Sequence, residues 1–153
     1  MNNAPTANKN NPIGTTPADA WSAAKGYAGV DEQLVESLTG WRRHIHRNPE
    51  LSYKEFQTTD YIESELNKLG FEVRRFEFGS GLTCDIPAAD GSSETDVVAL
   101  RADIDALPME ETTGYDFSST NEGVCHSCGH DAHAAMLLGA ATLLAKTPPP
   151  RPV

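Results

Sequence analysis

The sequence is short of positive charge. Its 153 residues carry 12 Lys and Arg against 22 Asp and Glu, a formal net charge of −10. Nucleic-acid partners are therefore not expected, because phosphate binding needs a basic surface. Long apolar runs are lacking too. The longest covers residues 134–145, too short for a bilayer, which takes about 20 residues. The opening stretch MNNAPTANKNNPIG has none of the apolar core of a signal peptide. These absences lead to the expectation of a soluble, cytoplasmic protein with no membrane partner. Cysteine is scarce. Cys84, Cys125 and Cys128 are an odd number, and two of them crowd against three histidines, which favours metal or thiol chemistry over a disulfide framework.

What is present suits one modest domain, with 39% hydrophobic and 22% charged residues. Residues 1–30, rich in Asn, Ala, Thr, Pro and Gly, read as a flexible arm. Leu34, Val35, Leu38, Trp41 and Ile45 recur at helical spacings over residues 31–47, and Asn48-Pro49 stops that helix. Ser52 and Glu55 have the spacing of a capping box. The helix it opens runs to about Leu69, burying Phe56, Ile62, Leu66 and Leu69, with Gly70 as its stop. Residues 71–78 and 82–87 read as strands and 88–95 as a turn. Residues 96–106 hold the strongest strand pattern, with Val97, Val98, Ala99 and Leu100 in a run that suits a central strand covered on both faces. A polar loop over 112–123 precedes a helix over 131–146 that presents Leu137, Ala140, Ala141 and Leu144 on one face. The proline-rich tail 147–153 cannot continue it. This order of elements defines an α/β domain over residues 31–146, with helices packed on a mostly central-strand sheet.

Three stretches carry residues capable of chemistry. In RADIDALP, Asp103 and Asp105 stand two apart on the expected strand, so both carboxylates face one side. Paired carboxylates repel unless a cation or proton relieves them. They read either as ligand-side acids or as solvated acids beside Arg101. In CHSCGHDAH, six of nine residues can ligate a metal. Thiolate with imidazole suits zinc and related first-row ions. Gly129 permits the sharp turn that aims Cys128 and His130 at one point. Asp131 reads as a helix cap or as the carboxylate behind a ligating histidine, and His133 falls in the first turn. Cys125 reads as packing, His126 as a non-ligand, and Cys84 as buried and inert. In RRHIHRNPE, His44 and His46 are two apart and share no helical face, so they form no paired metal site. Glu50 reads as a turn acid or as the start of the next helix.

These stretches, in this order, resemble the amidohydrolase/aminoacylase branch of the di-metal aminoacylase–carboxypeptidase family, which includes hippurate hydrolases, N-acyl-amino-acid amidohydrolases and indole-acetyl-amino-acid hydrolases. The likeness rests on WRRHIHRNPELSYKEFQTTDYI, VVALRADIDALPMEETTGYDFSS and GVCHSCGHDAHAAMLLGAATLLA. It implies a partial zinc-peptidase-like catalytic domain without the lid or dimerisation domain that makes full-length members homo-oligomers. It implies metal-dependent hydrolysis of the amide of a small N-acyl amino acid, with two divalent ions per complete site (Zn, Mn, Co or Ni). Cys128 and His130 match metal ligands, and Asp105 matches the acid that orients a ligand or supports catalysis. Asp103, Asp131 and His133 lie in or next to the site. Cys125 and Ser127 stand where relatives read Met and Ala. The family's general base and later metal ligands find no match here. A truncated chain of weak or no activity is therefore expected, and the alternatives are a non-catalytic metal-binding or interaction module and a non-functional fragment.

Overall fold

A computed structural model of the chain describes residues 30–91 and 96–153. The arm expected over residues 1–30 lies, except for Val30, outside the described residues, as does the 92–95 part of the expected turn. From Glu32 onward the described chain forms one unit. Its elements are α1 (Glu32–Arg47), α2 (Phe56–Lys68), β1 (Val73–Arg75), β2 (Leu82–Cys84) and α3 (His130–Lys146).

The three helices fall where the apolar periodicity puts them. The core gathers Ile45 of α1, Ile62 and Leu66 of α2, Ile86, and Ala134, Leu138 and Ala141 of α3. Each fully buried aliphatic side chain contributes roughly 1.5–3 kcal/mol. α1 packs chiefly on α3, and the approach is close: a Cβ added at Gly139 would lie 2.7 Å from Leu38 Cδ2. The buried stripe of α3 is therefore Ala134, Ala135, Leu138, Gly139 and Ala141. Of the residues expected to share one face, Ala141 is buried and Leu137, Ala140 and Leu144 are half-buried. α3 is apolar on nearly all sides, so hydrophobicity alone does not choose its inner face. Small side chains choose it, by letting α1 come near.

The start of α2 departs from the capping box. Tyr53 takes a left-handed φ of 64° and Lys54 N–H donates to Leu51 O at 2.9 Å, so Leu51 to Lys54 form a turn and the helix begins only at Phe56. Glu50 supplies the cap: its carboxylate accepts from the N–H of Gln57 (3.1 Å), and from the N–H (2.8 Å) and hydroxyl (2.9 Å) of Thr58. It thereby satisfies two of the donors that a helix start leaves open. Phe56, expected inside, is half exposed at 50%. At the other end Gly70, at φ 85°, closes the helix as expected, with its N–H on Asn67 O.

The sheet is smaller than the pattern suggests. β1 and β2 pair antiparallel, Val73 with Cys84, Arg74 with Thr83 and Arg75 with Leu82. Between them the chain turns through Gly79 and Gly81, which ends β1 early, while β2 starts at Leu82 as expected and stops at Cys84. Cys84, expected to be buried, is half-buried. The largest correction concerns residues 96–106, where the central strand is not formed: only Ala106 and Leu107 make isolated bridges, to Leu51 and Cys125. Val97, Val98 and Leu100 are 61%, 47% and 48% exposed. An apolar run becomes a covered strand only when neighbours supply backbone partners, and here the run from Val97 to Leu100 has one, at Val98. The tail 147–153 provides it. Ile86 and Val153 exchange both of their backbone hydrogen bonds (2.7 and 2.9 Å), and Val98 N–H donates to Pro152 O at 3.0 Å.

Candidate metal centre

Residues 123–130 lead into α3 from the bridge between Cys125 and Leu107. Gly129, at φ 86°, is the residue before the helix, a conformation that a Cβ disfavours. The turn presents Cys128 to solvent as a free thiol and begins the helix with His130.

His130 is held from behind. Its Nδ1 lies 2.8 Å from Asp105 Oδ1 and 2.9 Å from Asp105 O. Both partners are acceptors, so Nδ1 carries the proton and Nε2 keeps its lone pair. This is how proteins fix the tautomer of a metal-ligating histidine. Asp103 goes elsewhere, pairing with Arg101 at 2.5 Å. The two carboxylates, expected to act as a pair on one strand face, have separate partners in a segment that is not a regular strand. His133 is exposed, with its ring 5.7 Å from that of His130.

Asp131 turns inward and caps nothing. It is 1% exposed, and its Oδ2 accepts from His46 Nδ1 (2.8 Å) and Arg42 Nε (2.7 Å). Burial would raise its carboxyl, but the hydrogen bond from His46 and the charge of Arg42 hold it below the usual range. The other ring nitrogen of His46 faces Glu111 Oε1 at 3.2 Å. Burial would also raise Glu111, yet the Ser119 N–H, the Thr113 hydroxyl and His46 bring it down to about 2. The informative spacing in RRHIHR is thus Arg42 to His46, four apart and on one face of α1. His44 sits apart and stacks on Tyr61 at 3.8 Å.

His126 stands between these groups. It is 6% exposed, its ring is 6.3 Å from that of His46, and neither ring nitrogen has a partner. Burial pushes it down to about 4, against the pull of the Asp131 carboxylate. Asp131 Oδ1 is likewise buried without a partner. Cys125 packs in the interior, 4% exposed, with Sγ 2.8 Å from Ser127 Oγ.

The donor chemistry fits a first-row divalent cation in part. His130 offers an oriented Nε2 and Cys128 an accessible thiol, while buried polar atoms without partners lie just behind them. Among the described residues, no three His, Cys, Asp or Glu side chains are grouped to hold one ion. The arrangement is one oriented imidazole and one exposed thiol at the start of α3.

Comparison with known proteins finds similarity to one family. The family model of peptidase family M20/M25/M40 matches residues 99–152. An N-acetyl-L-cysteine deacetylase of Bacillus subtilis is 50% identical over 111 residues, covering 72% of this chain and 26% of that protein. A thermostable carboxypeptidase of Saccharolobus solfataricus is 54% identical over 117 residues, covering 73% and 29%. The fold superposes, with a TM-score of 0.71 and 36% identity, on a Bacillus subtilis protein described as a dinuclear metal-binding peptidase of the M20 family, covering 76% of this chain and 32% of that one. Over these residues the chain resembles peptidase family M20/M25/M40. It spans between 14% and 30% of the length of the curated relatives it matches. Among the described residues, no helix is long and apolar enough to cross a membrane.

Proposed function

We propose that the chain carries part of the active site of a metal-dependent amidohydrolase of N-acyl amino acids, in which Cys128 and His130 hold a divalent metal and Asp105 positions His130. The observation that carries this reading is the Asp105–His130 contact, which leaves one imidazole lone pair free two residues after an exposed thiol. A relative named N-acetyl-L-cysteine deacetylase supports the substrate class. When bound, the metal would acidify a water and polarise the amide carbonyl. Asp105 keeps Nδ1 protonated and the ring fixed. Gly129 sets the turn that brings Cys128 ahead of His130. Asp131, held by His46 and Arg42, anchors the first turn of α3 and with it the backbone that carries His130. Asp103 and His133 lie at the margin of the site.

The test is metal binding first and turnover second. Titration with Co2+ should give one thiolate-to-metal absorption band per chain, lost in Cys128→Ala and weakened in His130→Ala. Variants that bind as well as the parent would end the reading. Hydrolysis of N-acetyl amino acids or hippurate with Zn, Mn or Co then separates an amidohydrolase from a metal-binding module without catalysis. The second reading is favoured by the absence, among the described residues, of any three-donor group. Binding without turnover would select it.

A further inference from the structure

Cys125 and Cys128 are both free thiols, one 4% exposed and the other open to solvent. Cys-x-x-Cys spacing by itself serves metal sites and redox dithiols equally. Burial gives the two thiols different tasks here. An exposed thiol is open to oxidants, and a buried neighbour is shielded from them but can complete a disulfide with the first. Cys125 Sγ lies 2.8 Å from Ser127 Oγ, on the residue just before Cys128. The buried thiol thus faces the turn that carries the exposed one.

A disulfide needs its Cα atoms about 4.4–6.8 Å apart, so residues 125–128 must close into a single turn. Little holds them open. Cys125 is fixed by both of its backbone bonds to Leu107, and regular helix starts at His130. Between these anchors, among the described residues, the N–H groups of His126, Ser127, Cys128 and Gly129 donate to no backbone carbonyl. The His126 ring is buried, but neither of its nitrogens has a partner, so turning it breaks no hydrogen bond. Gly129, at φ 86°, can leave its left-handed conformation without strain.

We propose that Cys125 and Cys128 form a redox-active dithiol that a hydroperoxide converts to a disulfide, withdrawing Cys128 from the candidate metal centre. The dithiol stands on its own, and the withdrawal rests on the reading of Cys128 as a metal ligand. Cys128 Sγ attacks a peroxide oxygen. The S–O bond forms, the O–O bond breaks, and an alcohol or water leaves. The sulfur is then a sulfenic acid, oxidised by two electrons as the peroxide is reduced. Cys125 Sγ next attacks Cys128 Sγ, the S–S bond forms, and hydroxide leaves with the Cys125 proton as water. Two thiols and one hydroperoxide thus give one disulfide, one alcohol and one water. Cys84 takes no part, being held in β2 opposite Val73.

Thiol counting on the full chain tests this, with hydrogen peroxide as the probe. One equivalent should reduce the alkylatable thiols from all three cysteines to Cys84 alone, at a mass two hydrogens below the parent, and dithiothreitol should restore all three. Peptide mapping should join Cys125 to Cys128. In Cys125→Ala, Cys128 has no partner, and excess peroxide should carry it to the sulfinic acid, which dithiothreitol does not reduce. Zn2+ at about ten times its dissociation constant should slow oxidation of the parent about tenfold, in proportion to the Cys128 left unbound. The proposal is overturned if peroxide leaves Cys125 alkylatable while Cys128 becomes a sulfur oxyacid. It is also overturned if Cys128 instead joins two chains. Disulfide formation that zinc does not slow would overturn the withdrawal, and with it the reading of Cys128 as a ligand, while the dithiol stands.

Discussion

His46 and Asp131, 85 positions apart in sequence, meet at 2.8 Å in the interior, 6% and 1% exposed. The contact ties the last turn of α1 to the first turn of α3, and Arg42 and Glu111 extend it on both sides. It fixes where His130, the neighbour of Asp131, begins its helix. Removing one partner of a buried ionic pair leaves the other uncompensated, which costs about 3–5 kcal/mol. Asp131→Ala is therefore expected to lower stability by about 3 kcal/mol or more in urea denaturation. A loss under about 1 kcal/mol, the range of exposed pairs, would show that the contact holds little.

On the proposed reading, Asp105 should act on metal affinity through His130. Removal of such a supporting carboxylate typically lowers affinity by about 10- to 100-fold. Asp105 O also reaches Nδ1, at 2.9 Å, and it remains in Asp105→Ala. The expected loss is thus near the lower end, about tenfold, in a calorimetric Zn2+ titration. Asp103→Ala, whose carboxylate pairs with Arg101, should leave the affinity unchanged. Equal losses in both variants would point to a general effect of negative charge.

The helices and the turn that leads into α3 are legible in the sequence because local signals specify them. Apolar spacing marks α1 and α2, Gly70 and Gly129 mark two boundaries, and donor density marks Cys128 to His130. Residues 96–106 are misread because an apolar run reports only a preference for cover. A strand also needs backbone neighbours, and this segment meets them only at its two ends, Pro152 at Val98 and Glu50 at Ala106. The buried network is illegible for another reason. Arg42 and His46 share a face that can be read from spacing, but Asp131 and Glu111 join them only through the tertiary fold. Position 131 carries two conflicting local signals, a cap acid and a ligand-supporting acid, and packing on α1 decides between them.

The beginning of α2 separates local from longer-range capping. Ser52 and Glu55 have the spacing of a capping box, yet Glu50 makes the bonds to Gln57 and Thr58. Loss of a cap costs about 0.5–2 kcal/mol. Glu50 accepts from two backbone N–H groups, so Glu50→Ala should fall in the upper half of that range. Ser52 is exposed, and Ser52→Ala should stay within about 0.5 kcal/mol of the parent. Denaturant midpoints of the two variants decide the matter. The reverse order would restore the capping box.

Acid stability should report on Glu111. Its carboxyl is lowered from 4.5 to about 2: burial would raise it, but the hydrogen bonds from Ser119, Thr113 and His46 overcome that effect. A group whose folded value lies below its unfolded value binds more protons when unfolded, so its stabilisation is complete above the unfolded value. That stabilisation is present above about pH 4.5 and is lost as the pH falls toward about 2. Glu111→Gln cannot ionise and should lack this part of the profile. The variant is expected to be less stable than the parent at about pH 7 and to approach it at about pH 3, in urea midpoints measured across that range. Parallel curves for the two proteins, with a constant offset at every pH, would mean that the carboxylate's charge is not what anchors the loop over 108–119 to His46.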